Sequence, residues 1–203
     1  MEDCVKYFKK NKYALIGNFL NEQMINSYYQ YMLHMVKSQN VDVDDYQVPG
    51  NLMLRDDIVF DTLLSKMRPV ISSIVQKNLL PTYAFCRYYQ NGQKLKKHTD
   101  REACEYSMTI NLGWEARKPW PIYLKNEKKE TRKVHINVGD GLIYKGRDLT
   151  HWRKKFKGEH QVQLFLHYVD ADGEFANWCF DKRLGLNSLD YDINSSLTFY
   201  PNF

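Results

Sequence analysis

The chain has 203 residues, 43% hydrophobic and 14% aromatic, which suits one domain with a packed core and excludes a disordered or low-complexity polymer. Its formal net charge is +5, gathered in KKNK (9–12), KLKK (94–97), KNEKKETRK (125–133) and RKKFK (153–157); such runs are either a solvated surface or a positive field for an anionic substrate. Four scattered cysteines without a C-x-x-C pair argue against a zinc knuckle, and no signal-like leader or membrane-length apolar run appears, so a cytoplasmic protein with reduced thiols and no membrane partner is expected.

Residues 13–19, YALIGNF, predict a short strand. Asn21 is expected to cap a helix whose apolar positions, Met24, Ile25, Tyr28, Tyr31, Met32 and Met35, recur at helical spacing. A polar loop around QVPGN follows. Asp61 is expected to cap a second helix over DTLLSKMRPVISSIVQKNL, with Pro69 kinking or splitting it. From Leu80 the pattern turns to short β-type runs: TYAFCRYYQ, EYSMTINLGW, WPIYLKN, RKVHINVG, GLIYK, LTHWRKKF and HQVQLFLHYVD. Helices first and strands after predict an α+β, mainly β chain, a sandwich or barrel backed by helices. The expected plan is one domain over 1–203. Residues 13–79 give helical support, 80–170 the β-sandwich core with the site, and 171–203 a C-terminal extension. That extension holds FANWCF and DYDINSSLTFYPNF.

Alternation assigns strand faces. Met108, Ile110 and Leu112 share one face, as do Val162, Leu164 and Leu166. The opposite faces carry Ser107, Thr109 and Asn111, and Gln161, Gln163, Phe165 and His167. The apolar faces are expected beneath the two helices. The amide-bearing faces are expected to line a polar cavity or solvent.

His98-Thr99-Asp100 puts an imidazole and a carboxylate on one side of an extended chain, where both can reach one ion. H-x-D alone is a weak signal. His151, in the run GLIYKGRDLTHWRKKF, supplies a third donor. Two histidines and one carboxylate leave coordination positions open, which suits non-haem Fe(II); ligand type alone also leaves a catalytic zinc site open.

The stretch from Arg87 to Asp170 resembles the Fe(II)/2-oxoglutarate-dependent oxygenase superfamily, in its prolyl 4-hydroxylase-like branch. The residues that carry it are RYYQNGQKLKKHTD, EYSMTINLGW, GDGLIYKG, THWR and GEHQVQLFLHYVD. The resemblance implies a double-stranded β-helix, or jelly roll. It implies His98, Asp100 and His151 as metal ligands and catalytic centre, Fe(II) as the metal, 2-oxoglutarate as cosubstrate and ascorbate as reductant. It assigns Tyr88, Thr109 and Asn111 to the cosubstrate pocket. The implied reaction is hydroxylation of a C–H bond, with prolyl hydroxylation of a peptide the nearest analogy and a small molecule the other substrate class.

One departure stands out. Relatives carry an Arg or Lys nine or ten residues after the distal histidine, and here those positions are His160 and Gln161. The far carboxylate of 2-oxoglutarate still needs a cation. Arg153, two residues past His151, is the expected substitute, assisted by Gln161 or Gln163, with Lys145 the second candidate. Lys94, Lys96 and Lys97 beside His98 suit an acidic peptide or a small anion. Nucleic acid is disfavoured, because no aromatic-basic reader motif and no paired arginines after His151 are visible.

The alternative is a catalytically degraded jelly-roll binding module with a basic surface. The absent late cation favours it, and the intact H-x-D and His151 oppose it. A zinc hydrolase is a third class. His34 and His135 read as helix packing and a strand residue, His167 as a residue of the polar face, and Cys104 as an unactivated thiol. The oligomeric state is left open.

Overall fold

In the computed structural model of the protein, residues 2–44, 46–126 and 128–186 are described. Three helices, α1 (Glu2–Asn11), α2 (Glu22–Lys37) and α3 (Ile58–Val75), accompany ten strands. The strands are β1 (Tyr13–Ile16), β2 (Asp42–Asp44), β3 (Asn51–Arg55), β4 (Leu79–Gln90), β5 (Tyr106–Ala116), β6 (Ile122–Lys125), β7 (Thr131–Val134), β8 (Gly141–Lys145), β9 (Thr150–Trp152) and β10 (Gly158–Asp170).

Strand β10 organises the larger sheet. Its run HQVQLFLHYV is almost wholly buried, as a strand covered on both faces should be. It pairs antiparallel with β4 on one side and β5 on the other. The full order is β1-β8-β5-β10-β4-β3-β2, faced by a smaller sheet β7-β6-β9. This two-sheet antiparallel architecture is the jelly roll expected from the sequence.

The face parity holds. Met108, Ile110, Leu112, Val162, Leu164 and Leu166 are each at most 1% exposed, in one cluster with Met32 of α2 and Phe60, Leu63 and Leu64 of α3. Each such side chain contributes about 1.5–3 kcal/mol. Between the sheets a separate cluster joins Ile122, Leu124, Val134, Leu142 and Tyr144. The larger sheet therefore separates an apolar layer under the helices from an inner face that holds the polar residues of β5 and β10.

Several boundaries differ from expectation. The N-terminal residues form α1, whose single buried residue is Phe8; so short an apolar stripe gives little periodicity to read. Strands β2 and β3 extend the large sheet within 13–79, a segment expected to give helical support. The cap of α3 is Asp57, whose carboxylate accepts from the amides of Val59 and Phe60. Asp61 lies one turn inside, fully buried. Pro69 does not split α3, which runs through it with the ring at an exposed position. His34 is exposed on α2.

The C-terminal extension is described to Leu186, and the stretch DYDINSSLTFYPNF lies outside the described residues. The described part docks through Arg183, which donates to Asp61 at 3.1 Å and to the Thr82 carbonyl at 3.1 Å. Burial raises the Asp61 carboxyl above its ordinary value, and Arg183 opposes that rise. Among the described residues no helix is long and apolar enough to cross a membrane.

Removing the guanidinium leaves Asp61 buried without its partner. The Arg183→Met variant is expected to lose about 3 kcal/mol in chemical denaturation, and adding Asp61→Leu is expected to recover most of it.

Candidate metal centre and its cavity

Three backbone segments bring the donors together. His98 and His151 face one another across an isolated antiparallel bridge, His98 N–H to His151 O at 3.1 Å and His151 N–H to His98 O at 2.8 Å. That bridge brings the two ring centres within 4.2 Å, with their planes tilted by 56°. Asp100, two residues on, turns its carboxylate between them. Its Oδ1 lies 3.4 Å from His98 Nε2 and 3.3 Å from His151 Nε2. Donors about 2.0–2.2 Å from one ion and at right angles to each other lie about 3 Å apart. The triad is close to that spacing.

Hydrogen bonding fixes the ring tautomers. His98 Nδ1 is 2.8 Å from the Lys96 carbonyl, and His151 Nδ1 is 2.9 Å from the Leu149 carbonyl. A carbonyl only accepts, so each Nδ1 carries the proton and each Nε2 turns toward the carboxylate as a donor to a metal. The Asp100 Oδ2 atom accepts from Ser107 Oγ at 2.8 Å. A Cβ at Gly146 would lie 2.1 Å from that same Oδ2, so only glycine lets the turn after β8 pass this close.

Charge follows from burial and neighbours. Burial opposes ionisation of Asp100, yet the two imidazoles outweigh it and hold the carboxyl well below its usual range. Burial also disfavours the His151 imidazolium, but the Asp100 carboxylate beside it lifts His151 above its ordinary value.

A cavity of about 720 Å³ opens onto the triad. Its aromatic wall includes Tyr83, Phe85, Tyr89, Tyr144 and Phe165, and its cations are Arg55, Arg87, Lys96, Lys97 and Arg101. Gln47 reaches in from the loop before β3: its Nε2 lies 2.6 Å from His98 Nε2, and its Oε1 accepts from Arg87 at 2.8 Å. Neither Gln47 nor Arg87 was singled out by sequence: Gln47 is distant in the chain from H-x-D, and the face on which Arg87 lies depends on the register of β4.

Arg153 is the other conspicuous group. It is 2% exposed and lies behind the wall formed by Tyr89 and Leu95. Its Nη1 donates to the Trp120 carbonyl at 2.5 Å, and its carbon Cζ lies 4.8 Å from the Trp120 ring. Nε and Nη2 are buried with no hydrogen-bond partner, and no described carboxylate forms an ion pair with it. Burial pushes the guanidinium down to about 10 against the opposing influence of Tyr89 and Tyr144. A buried cation in this state has the chemistry of an anion site.

The remaining sequence-predicted residues divide. Gln161, Gln163 and Thr109 are on the inner face, where Gln161 donates to Gln163 and Gln163 to Thr109, each at 2.8 Å. Asn111 is also buried there, but its Nδ2 is turned to the Ile136 carbonyl at 2.8 Å. Tyr88 is on the wrong face. Its cross-strand partner is Val162, of the apolar layer, and its ring stacks on His160 4.9 Å away. Tyr89, one residue on, takes the cavity position. Lys145 also points away, toward Asp148 at 4.0 Å and the Tyr106 ring. His167 lines the cavity and meets Ser107 Oγ through Nδ1 at 2.9 Å, while burial pushes it down to about 4. Burial raises the Cys104 thiol, so it carries no activated thiolate.

No protein-family model matches the chain, and no curated protein matches it by sequence. Solved structures do match by shape. A prolyl-4-hydroxylase from Pseudomonas putida aligns with a TM-score of 0.70 at 12% identity, over 83% of this chain and 98% of its own. A prolyl hydroxylase from Trichoplax adhaerens, in complex with a peptide fragment of the hypoxia inducible factor oxygen degradation domain, aligns at 0.66 and 14% identity, over 82% and 87%. HygX from Streptomyces hygroscopicus, with nickel and 2-oxoglutarate bound, aligns at 0.67 and 12% identity, over 85% and 88%. The fold is the one that structures of 2-oxoglutarate/Fe(II) oxygenases share.

Two outcomes are expected for metal binding. Protons compete for the imidazole Nε2 atoms, and His151 is raised above its ordinary value. Affinity for a divalent metal, measured by calorimetry, should therefore fall as pH drops through the raised His151 value, starting at a higher pH than an ordinary imidazole would impose, and recover as pH rises past it. The Gly146→Ala variant should weaken metal binding about 10–100-fold while leaving thermal unfolding cooperative.

Proposed function

We propose that the chain is an Fe(II)/2-oxoglutarate-dependent dioxygenase that hydroxylates a C–H bond. The observation that carries this reading is the convergence of His98 Nε2, Asp100 Oδ1 and His151 Nε2 at one point on the wall of a large cavity. Three donors of this kind leave positions free for a cosubstrate and oxygen. The second support is Arg153, whose unpartnered guanidinium nitrogens match the far carboxylate of 2-oxoglutarate in the role that His160 and Gln161 do not fill. An Fe(II) centre with 2-oxoglutarate and oxygen yields succinate, carbon dioxide and a hydroxylated product, one oxygen atom entering each organic product.

The chain's own residues do the positioning. The Lys96 and Leu149 carbonyls fix the two imidazoles, and Ser107 fixes the carboxylate. Arg153 neutralises the cosubstrate's outer charge. Tyr89, Trp120, Phe156 and Phe165, packed as one cluster, keep water from that end of the pocket. Ascorbate serves as reductant in turnover.

The substrate reading is a peptide, with a prolyl residue the first to test, or a small molecule bearing negative charge. Arg87, Lys96 and Lys97 on the cavity wall support an anionic substrate, while Arg55 and Arg101 there are paired with Asp181. Four free thiols fit a cytoplasmic setting. A degraded binding module has less support, because ligands and buried cation are both in place.

Anaerobic titration with Fe(II) and then 2-oxoglutarate should produce a visible metal-to-cosubstrate charge-transfer band, absent in His98→Ala. Arg153→Met should retain Fe(II) binding and weaken 2-oxoglutarate about 100-fold, read as the shift in the band's titration midpoint. Unchanged 2-oxoglutarate affinity in that variant would remove Arg153 from the role.

A further inference from the structure

Part of the chain's basic charge gathers in one place. Beside the small sheet is a second groove of about 470 Å³. It is lined by Arg117, Lys118, Lys133, Lys154, Lys155 and Lys157, with no acidic residue in its wall. All six are exposed, and none pairs with a described carboxylate. They come from three segments: the loop after β5, strand β7 and the loop after β9.

This groove is joined to the mouth of the metal cavity by a run of alternating cations and rings. Lys97, next to the ligand His98, lines the cavity and holds its Nζ 4.4 Å from the centre of the Trp152 ring. Trp152 stacks on Tyr123, its cross-strand partner, at 5.5 Å and 13°. Lys154 lies over Tyr123 at 5.2 Å, and Tyr123 is part of the groove wall. Trp152 follows the ligand His151 directly, so the first two members of the run, Lys97 and Trp152, each adjoin a metal ligand in the chain.

We propose that this track, from Lys97 across Trp152 and Tyr123 into the six-cation groove, is a docking surface for the acidic flanking segment of a polypeptide substrate. The inference rests on the oxygenase reading, since it takes the residue to be oxidised as the one that enters the metal cavity. Its own support is separate: position, charge and the state of the rings. Unpaired cations in one groove repel each other, and a chain of carboxylates relieves that repulsion along its whole length. The aromatic pair offers apolar surface for the backbone between the charges. A single-stranded nucleic acid fits less well. Its bases need open ring faces, and here lysine ammonium groups cover both rings.

The test uses fluorescence anisotropy at low salt with the full chain. The probes are a fluorescein-labelled peptide of alternating Glu and Gly, its Gln-for-Glu counterpart, and an oligothymidylate of equal length. The Glu peptide is expected to bind at least about tenfold more tightly than either of the others, and to weaken as salt rises. The triple variant Lys133→Glu, Lys154→Glu, Lys157→Glu should lose that preference by about tenfold or more while keeping the Fe(II)/2-oxoglutarate band. Equal affinity for the Glu and Gln peptides, or an unaltered Glu-peptide affinity in the triple variant, overturns the proposal. Tighter binding of the oligothymidylate overturns it in favour of nucleic acid. If the Glu peptide binds as expected but the wild-type band never forms, the docking surface stands and the oxygenase reading falls. A band without Glu preference gives the reverse.

Discussion

The site depends on one buried carboxylate held between two imidazoles. Asp100 is costly to ionise where it lies, and only its neighbours make the anion the stable form. Each neighbour is imposed by backbone. The His98–His151 bridge brings the two rings together at a tilt of 56°, and Gly146, in the turn after β8, clears the space that the second carboxylate oxygen fills. Ser107 then occupies that oxygen, leaving Oδ1 aimed at the imidazoles. Without the ion, the same geometry is an apparent ion pair of His151 with Asp100. Metal and proton therefore contend for one lone pair, and the stability of the empty site is coupled to its affinity.

In the proposed reading, Arg153 takes the cosubstrate's far carboxylate from a different strand than the one on which relatives carry their cation. A cation on β10 at 161 would approach the pocket from the large sheet, whereas position 160 faces the helix-covered side. Arg153 instead approaches from the end of β9, just past a metal ligand, with its backbone amide bonded to the Leu95 carbonyl. The inner face of β10 is then free to carry amides, and Gln161, Gln163 and Thr109 form a closed chain of hydrogen bonds across β5 and β10. A desolvated guanidinium with two unbonded nitrogens lowers stability until an anion arrives, and groups of that kind concentrate at binding sites.

Much of this was readable in the sequence where a local rule governs. Period-two alternation sorted β5 and β10 correctly, because both strands are covered on both sides and their faces differ in kind. The i, i+2 spacing of His98 and Asp100 needs only an extended chain. Register was beyond local rules. Tyr88 and Tyr89 are adjacent tyrosines on β4, and only the pairing of Tyr88 with Val162 decides which one faces inward. The start of α3 was misread for a related reason: Asp57 and Asp61 are both good caps, but the buried series begins at Phe60, before the second of them. Gln47 reaches the site from the loop before β3, whose composition reads as ordinary loop, and Arg87 reaches it from β4 only once pairing with Gln163 fixes its face.

The basic surface illustrates the same limit from the side of electrostatics. As runs in a sequence, RKKFK and KNEKKETRK alternate with acids and aromatics and look like ordinary solvated segments. Antiparallel pairing changes their arithmetic. Strand alternation turns Tyr123 and Lys133 to the groove side of the β6–β7 pair, while Leu124 and Val134 turn to the intersheet core. Pairing of β6 with β9 then sets Trp152 beside Tyr123 and brings the lysines that follow Arg153 to the same edge. Arg153 itself points the other way, into the protein, so a single short run supplies one buried cation and several exposed ones. Local charge density is set by that folding and not by the modest net charge of the chain, which is why a positive field can be strong beside the metal cavity and weak elsewhere.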